Sequence, residues 1–201
     1  MSHNYKVYIA AVTAAACIFV IMFCGFSSGK DSTSKEYEAT YAGNPPIPES
    51  ISFCNEKISL DREDMYERYD RELTSLVYGH GNTLLMLKRA NKYFPVMAPI
   101  LKRNGIPEDF LYLACIESTL SHRAYSPSKA AGIWQFLAAT AKQYGLEVSD
   151  EVDERYNLEK ATEAACRYFK SAYNKYHHWP TVMASFNGGM SRISTELEKQ
   201  M

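Results

Sequence analysis

The sequence predicts an all-α domain preceded by an apolar N-terminal segment and a polar linker. Three observations predict it. Beyond Ile51, apolar side chains recur at three- and four-residue spacing, the period of a helix face. Short breaks rich in Gly, Pro and Asn separate the patterned stretches. One long stripe is built on alanine, a strong helix former. The chain has 201 residues, 46% hydrophobic and 22% charged, enough apolar material for one core plus extra segments.

The elements follow in order. Lys6 precedes the apolar run Val7–Phe26. A helix of about twenty residues crosses bilayer hydrocarbon, and the run exceeds the roughly 7–15 residues of a secretory apolar region. Small residues Ser27–Gly29 suit a cleavage site. Lipidation at Cys24 or Cys17 is a third reading. Phe23 is bulky before Cys24, and the apolar run before Cys17 is short. A transmembrane anchor, a cleaved signal and a lipidated terminus all export the rest of the chain. A buried core helix ranks last, because a polar segment follows. Residues 1–29 are therefore a signal or anchor segment. Residues 30–50, with "NPPIP" at Asn44–Pro48, read as an extended linker. Residues 51–92 read as a helical N-terminal extension and 93–201 as the main domain.

In the extension, Met65, Tyr69, Leu73, Leu76 and Val77 share a helix face, with Asp61 as its cap and Gly79 past its end. A second helix spans about Thr83 to Arg103, and Pro95 and Pro99 are expected to interrupt or kink it. Pro107 opens a third helix, with Glu108 and Asp109 at the positive end of its dipole. Ala138–Leu146 forms a short helix ending at Gly145. A longer one starts at Leu158, its stripe being Ala161, Ala164, Ala165, Tyr168, Phe169 and Ala172. The last begins at Trp179-Pro180 and stops at Asn187-Gly188-Gly189.

Several function classes are excluded. A net charge of −1 argues against nucleic acid. Of five cysteines, three lie beyond the N-terminal run, so a complete disulfide framework is ruled out. Cys115 and Cys166 read as small buried hydrophobes. There is no CxxC or HExxH, and a helix would turn His177 and His178 to different faces. Neither a metal nor a cofactor is expected, and the chain is expected to be a monomer.

One residue stands out. On the third helix Phe110, Leu113, Ala114 and Glu117 fall on one face, apolar except for Glu117. A carboxylate among apolar groups loses hydration, holds its proton nearer neutral pH and can donate it to a leaving group. The plain alternative is a helix-end side chain fraying into solvent. The loop that follows, Ser118–Phe136, has no Asp or Glu. Its hydroxyls, the Gln135 amide and the Trp134 ring are groups that bind sugars. Trp134 reads equally well as a core aromatic.

"IPEDFLYLACIES", "SPSKAAGIWQF" and "MASFNGG", in that order, with "DERYNLEKATEAACRYF" between the last two, resemble the lytic transglycosylases with a goose-lysozyme-like domain, and among them the membrane-bound type D group. The resemblance covers about Tyr93 to Arg192. It implies a lysozyme-like helical fold and cleavage of the β-1,4 bond between N-acetylmuramic acid and N-acetylglucosamine in peptidoglycan strands. It also implies an envelope location, facing the periplasm. Glu117 would be the only catalytic carboxylate, acting as acid and then as base, with the muramic C6 hydroxyl closing a 1,6-anhydro ring. Two-carboxylate glycosidases need a second acid roughly 5–10 Å away. The segment after Glu117 supplies none locally, although Asp153 can fold in. By the same resemblance Ser126 and Gln135 bind the sugar or steady Glu117, Asn187 and Leu137 line the cleft, and Ser118 supports the helix end. The sequence departs from the pattern at Phe186, where the family carries a tyrosine whose hydroxyl touches the acid, and at Lys129, often glycine. A further helix backing the cleft and LysM repeats are not expected before Met201. A water-using muramidase and a non-catalytic peptidoglycan-binding protein are the competing readings.

Overall fold

The computed structural model describes residues 45–199. The readings of the apolar run and of the linker up to residue 44 lie outside the described residues. Among the described residues no helix is long and apolar enough to cross a membrane.

The fold is mostly helical, as the periodicity predicts, with one two-stranded sheet. Strands β1 (Ser50–Phe53) and β2 (Glu56–Ser59) pair antiparallel, Ile51 opposite Ile58. Helices α1 (Glu63–Tyr78) and α2 (His80–Arg103) follow, then α3 (Phe110–Ser118) and α4 (Ala138–Gln143). A 3₁₀ turn (Glu154–Tyr156) leads to α5 (Leu158–Tyr176), α6 (Trp179–Gly188) and α7 (Met190–Glu198).

Helix α5 organises the core. Ala161, Ala164, Ala165, Tyr168, Phe169 and Ala172 are all buried, the stripe that the spacing predicts. Their small side chains let α2 and α6 approach closely. Phe169 then reaches Phe110 at 4.3 Å, Phe186 at 5.2 Å and Trp134 at 5.7 Å between ring centres. Cys115 and Cys166 are buried free thiols, and burial pushes both thiols up.

Several expectations are corrected. The segment from residue 51 opens as a hairpin, not a helix. Cys54 and Asn55 hold φ of 52° and 64°, the left-handed pair that a tight hairpin turn requires. The hairpin buries Ile51 and Phe53 and staples distant elements. The Cys54 amide donates to Asp109 Oδ2 at 2.6 Å, and the Trp179 amide donates to Glu56 Oε1 at 3.1 Å. Arg62 stands at the N-cap of α1, and Asp61 makes no capping bond. Helix α2 runs on through both prolines. Pro95 and Pro99 sit on its exposed face, where water can hydrate the carbonyls one turn earlier that lose their donors. Helix α3 starts at Phe110, so Glu108 and Asp109 do not occupy its first turn. A helix not expected from the sequence, α7, follows Gly189 at φ 79°.

Candidate active site

The site begins with helix α3. Phe110, Leu111, Leu113, Ala114 and Cys115 are buried, so the helix is embedded along most of its length. Its C-terminal end does not fray. Ser118 Oγ donates to the Ile133 carbonyl at 2.9 Å, and Arg89 Nη1 donates to the Thr119 carbonyl at 2.9 Å. Thr119 and Leu120 take φ of 50° and 56°, a tight turn out of the helix. Glu117 is thus fixed. Its Oε1 is buried and has no hydrogen-bond partner among the described residues. Burial pushes its carboxyl up to about 7.

The loop after α3 forms the facing wall. It contains only isolated bridges, Tyr125 to Ala131 and Ala131 to Phe136. Local hydrogen bonds shape the rest. The Ala130 amide donates to Ser126 Oγ at 3.1 Å, and Gln135 Nε2 donates to the Gly132 carbonyl at 2.8 Å. Gly132 has φ 76°, and a Cβ there would lie 2.0 Å from the Arg155 carbonyl oxygen, so only glycine fits.

The loop is clamped from outside. Arg155, 6% exposed, donates through Nη1 to the carbonyls of Lys129 (2.8 Å) and Phe136 (3.0 Å). Asp153 holds that guanidinium from below, Nη2 to Oδ2 at 2.6 Å. The Arg155 hydrogen bond keeps the Asp153 carboxyl below its ordinary value. Asp153 is therefore occupied by the clamp and does not line the pocket beside Glu117.

Glu117, Ser126, Gln135, Leu137, Phe186 and Asn187 converge on one pocket of about 400 Å³. Glu117 is the only carboxylate among its lining residues. Ser118 sits outside it, engaged at the helix end. Trp134 is fully buried, and its Nε1 donates to Thr162 Oγ1 at 3.0 Å. The sugar-stacking alternative for Trp134 is thereby overturned, and the core reading stands. Phe186 rests edge-on against Phe136 and Tyr168 at 5.4 and 5.0 Å.

Five lining residues, three of them polar, and the clamp were not singled out from sequence. Ser128 and Thr140 add hydroxyls. Tyr168, read only as part of the core stripe, lines the pocket and donates to the Ser185 carbonyl. Tyr168 has the apolar body and polar tip that such a position suits. Chemically, the pocket offers one proton donor poised near neutral pH, surrounded by hydroxyls and amides and an apolar wall.

The family model described as "Transglycosylase SLT domain" matches residues 96–201. The chain is 28% identical over 139 residues to membrane-bound lytic murein transglycosylase D of Escherichia coli (strain K12), covering 68% of this chain and 30% of that protein. The same protein of Escherichia coli O6:H1 matches equally. A protein of Alteromonas sp. (strain M-1), named for tributyltin chloride resistance, is 26% identical over 112 residues, 55% of this chain and 54% of that one. The chain thus spans about a third of the transglycosylase relatives it matches.

Proposed function

The chain belongs to the Transglycosylase SLT domain family, and from that premise we propose that it is a peptidoglycan lytic transglycosylase with a single catalytic acid, Glu117. The substrate is a glycan strand whose N-acetylmuramic acid–N-acetylglucosamine β-1,4 bond lies across the pocket. Protonated Glu117 gives its proton to the glycosidic oxygen as the C1–O bond breaks, and the N-acetylglucosamine end leaves as an alcohol. The resulting carboxylate then takes the proton of the muramic C6 hydroxyl, whose oxygen bonds to C1. The product is a 1,6-anhydro end, no water is consumed, and Glu117 ends protonated as it began.

The observation that carries this reading is the solitary carboxylate. Among the described residues Glu117 Oε1 is buried and unpartnered, and no second acid lies beside it in the pocket lining. A two-carboxylate mechanism needs that second acid within about 10 Å. Gln135, Ser126 and Asn187 supply the polar contacts that orient a sugar, and Leu137 and Phe186 supply the apolar wall.

Mass spectrometry of isolated peptidoglycan digested with the protein tests it. Anhydro ends, lost in Glu117→Gln, are expected. Reducing ends would establish the water-using muramidase instead, and no turnover would leave a peptidoglycan-binding protein. The apolar run Val7–Phe26 is read as the segment that delivers the domain to the cell envelope and holds it at the membrane. Mass spectrometry of the mature N-terminus distinguishes retained, cleaved and lipidated forms.

A further inference from the structure

Helix α2 presents an outer face that nothing among the described residues covers. Of the ten exposed large hydrophobic side chains among the described residues, four lie on this helix: Leu84 (54%), Leu85 (50%), Leu87 (37%) and Val96 (37%). Helix spacing interleaves them with Lys88 and Lys92. Lys88 follows Leu84 by one turn, and Lys92 lies between Lys88 and Val96, one turn from each. The buried residues of the helix, Met86, Ala90, Met97, Ile100 and Leu101, occupy the opposite side. The outer face is therefore not a frayed part of the core.

Its charge has one sign. Helix α2 carries Lys88, Arg89, Lys92, Lys102 and Arg103 and no Asp or Glu in its 24 residues, although Arg103 at its end is paired with Glu163 of α5. Neither Lys88 nor Lys92 has an ion pair among the described residues, and Lys92 Nζ lies 5.2 Å from the centre of the Tyr93 ring. Glu72, an acid on the neighbouring α1 that shares a pocket with Asn82 and Thr83, is engaged by Arg71 at 3.1 Å. The chain as a whole has a net charge of −1, so everything outside this helix is net negative, and the cationic, leucine-bearing face is a local feature.

We propose that this face of α2 docks on an anionic phospholipid bilayer. Leucines inserted at the headgroup boundary with lysines among the phosphates are how an amphipathic basic helix lies on such a surface. Two observations favour lipid over another protein. The charge is complementary to anionic headgroups, and the chain itself carries a hydrophobic run, Val7–Phe26, separated from Pro45 by Ser27–Asn44 alone. A polar chain as long as Ser27–Asn44 spans on the order of 25 Å. A bilayer holding Val7–Phe26 is thus within reach of the domain. The inference is independent of the reaction proposed above, and its failure leaves that reaction intact.

The test uses the full chain in nanodiscs of phosphatidylcholine alone and of phosphatidylcholine with phosphatidylglycerol. Lysines are acetylated briefly and read by mass spectrometry. Acetylation of Lys88 and Lys92 is expected to slow about threefold or more in the anionic discs, while exposed Lys142 and Lys175 keep their rates. The change Leu84→Ser with Leu85→Ser and Leu87→Ser is expected to abolish the shielding and leave peptidoglycan turnover unchanged. Equal rates at Lys88 and Lys92 in both lipids would overturn the proposal. So would shielding that survives the serine changes. Shielding in detergent that grows with protein concentration would assign the face to a second copy of the chain.

Discussion

At the scale of single residues, Glu117 sets the behaviour of the pocket. Its carboxyl lies at about 7 in the folded chain against an ordinary 4.5, and burial is the cause. The proton bound in this window stabilises the fold. That contribution is fully present below the unfolded value of 4.5 and lost as pH rises through 7. The linkage amounts to about 3 kcal/mol. Glu117→Gln removes it, so the variant is expected to gain stability over the wild type at pH 8 and little at pH 4. Urea midpoints at both values check this, and an equal gain at both would refute it. Activity that needs the protonated acid should likewise fall as pH rises through 7. Phe186 bears on the same group. Among the described residues the acid's Oε1 has no donor, and the family resemblance implies a tyrosine at the position of Phe186. Phe186→Tyr is expected to stabilise the carboxylate and lower its pKa, so the alkaline fall in turnover should move to lower pH. An unmoved pH profile would mean that the phenol does not reach Glu117.

At the scale of elements, the helices were legible and their ends were not. The α5 stripe is unambiguous because six small or aromatic side chains keep one face over about three turns. The hairpin was missed because its strands are four residues each and its turn uses Cys54-Asn55, without the glycine that usually marks one. Helix α2 defied the proline rule because both prolines face solvent. The loop after α3 is the hardest element to read, since its shape rests on backbone angles. Lys129 holds φ 65° and Gln135 φ 49°, values that L side chains adopt reluctantly. Lys129→Gly keeps the carbonyl that Arg155 engages and removes the strain. It is expected to stabilise the protein by about 0.5–1 kcal/mol after the added freedom of the unfolded chain. Thermal or urea denaturation reads this directly, and a net loss would show that the turn carries no strain at Lys129.

At the scale of the whole molecule, the pocket joins parts far apart in the chain: the end of α3, the loop after it, the first turn of α4, the middle of α5 and the end of α6. The sequence makes Glu117 conspicuous because an acid interrupts an apolar face. It hides the clamp, because nothing in "DERYN" says which carbonyls Arg155 will find. The clamp nonetheless decides whether a loop with almost no regular structure can present Ser126 and Gln135 opposite Glu117. One guanidinium reaches both Lys129 and Phe136 carbonyls while its other edge is held by Asp153. A lysine has the charge but not the planar fork, and cannot serve three partners in that geometry. Arg155→Lys is therefore expected to leave at least one buried carbonyl without a donor and to cost about 1–3 kcal/mol. Turnover should fall although the changed residue lines no part of the pocket. Amide exchange should quicken between Ala124 and Phe136 and stay unchanged in α2 and α5. Unchanged exchange in that loop would mean that its own turns hold it, and that Arg155 serves only the 3₁₀ turn in which it lies.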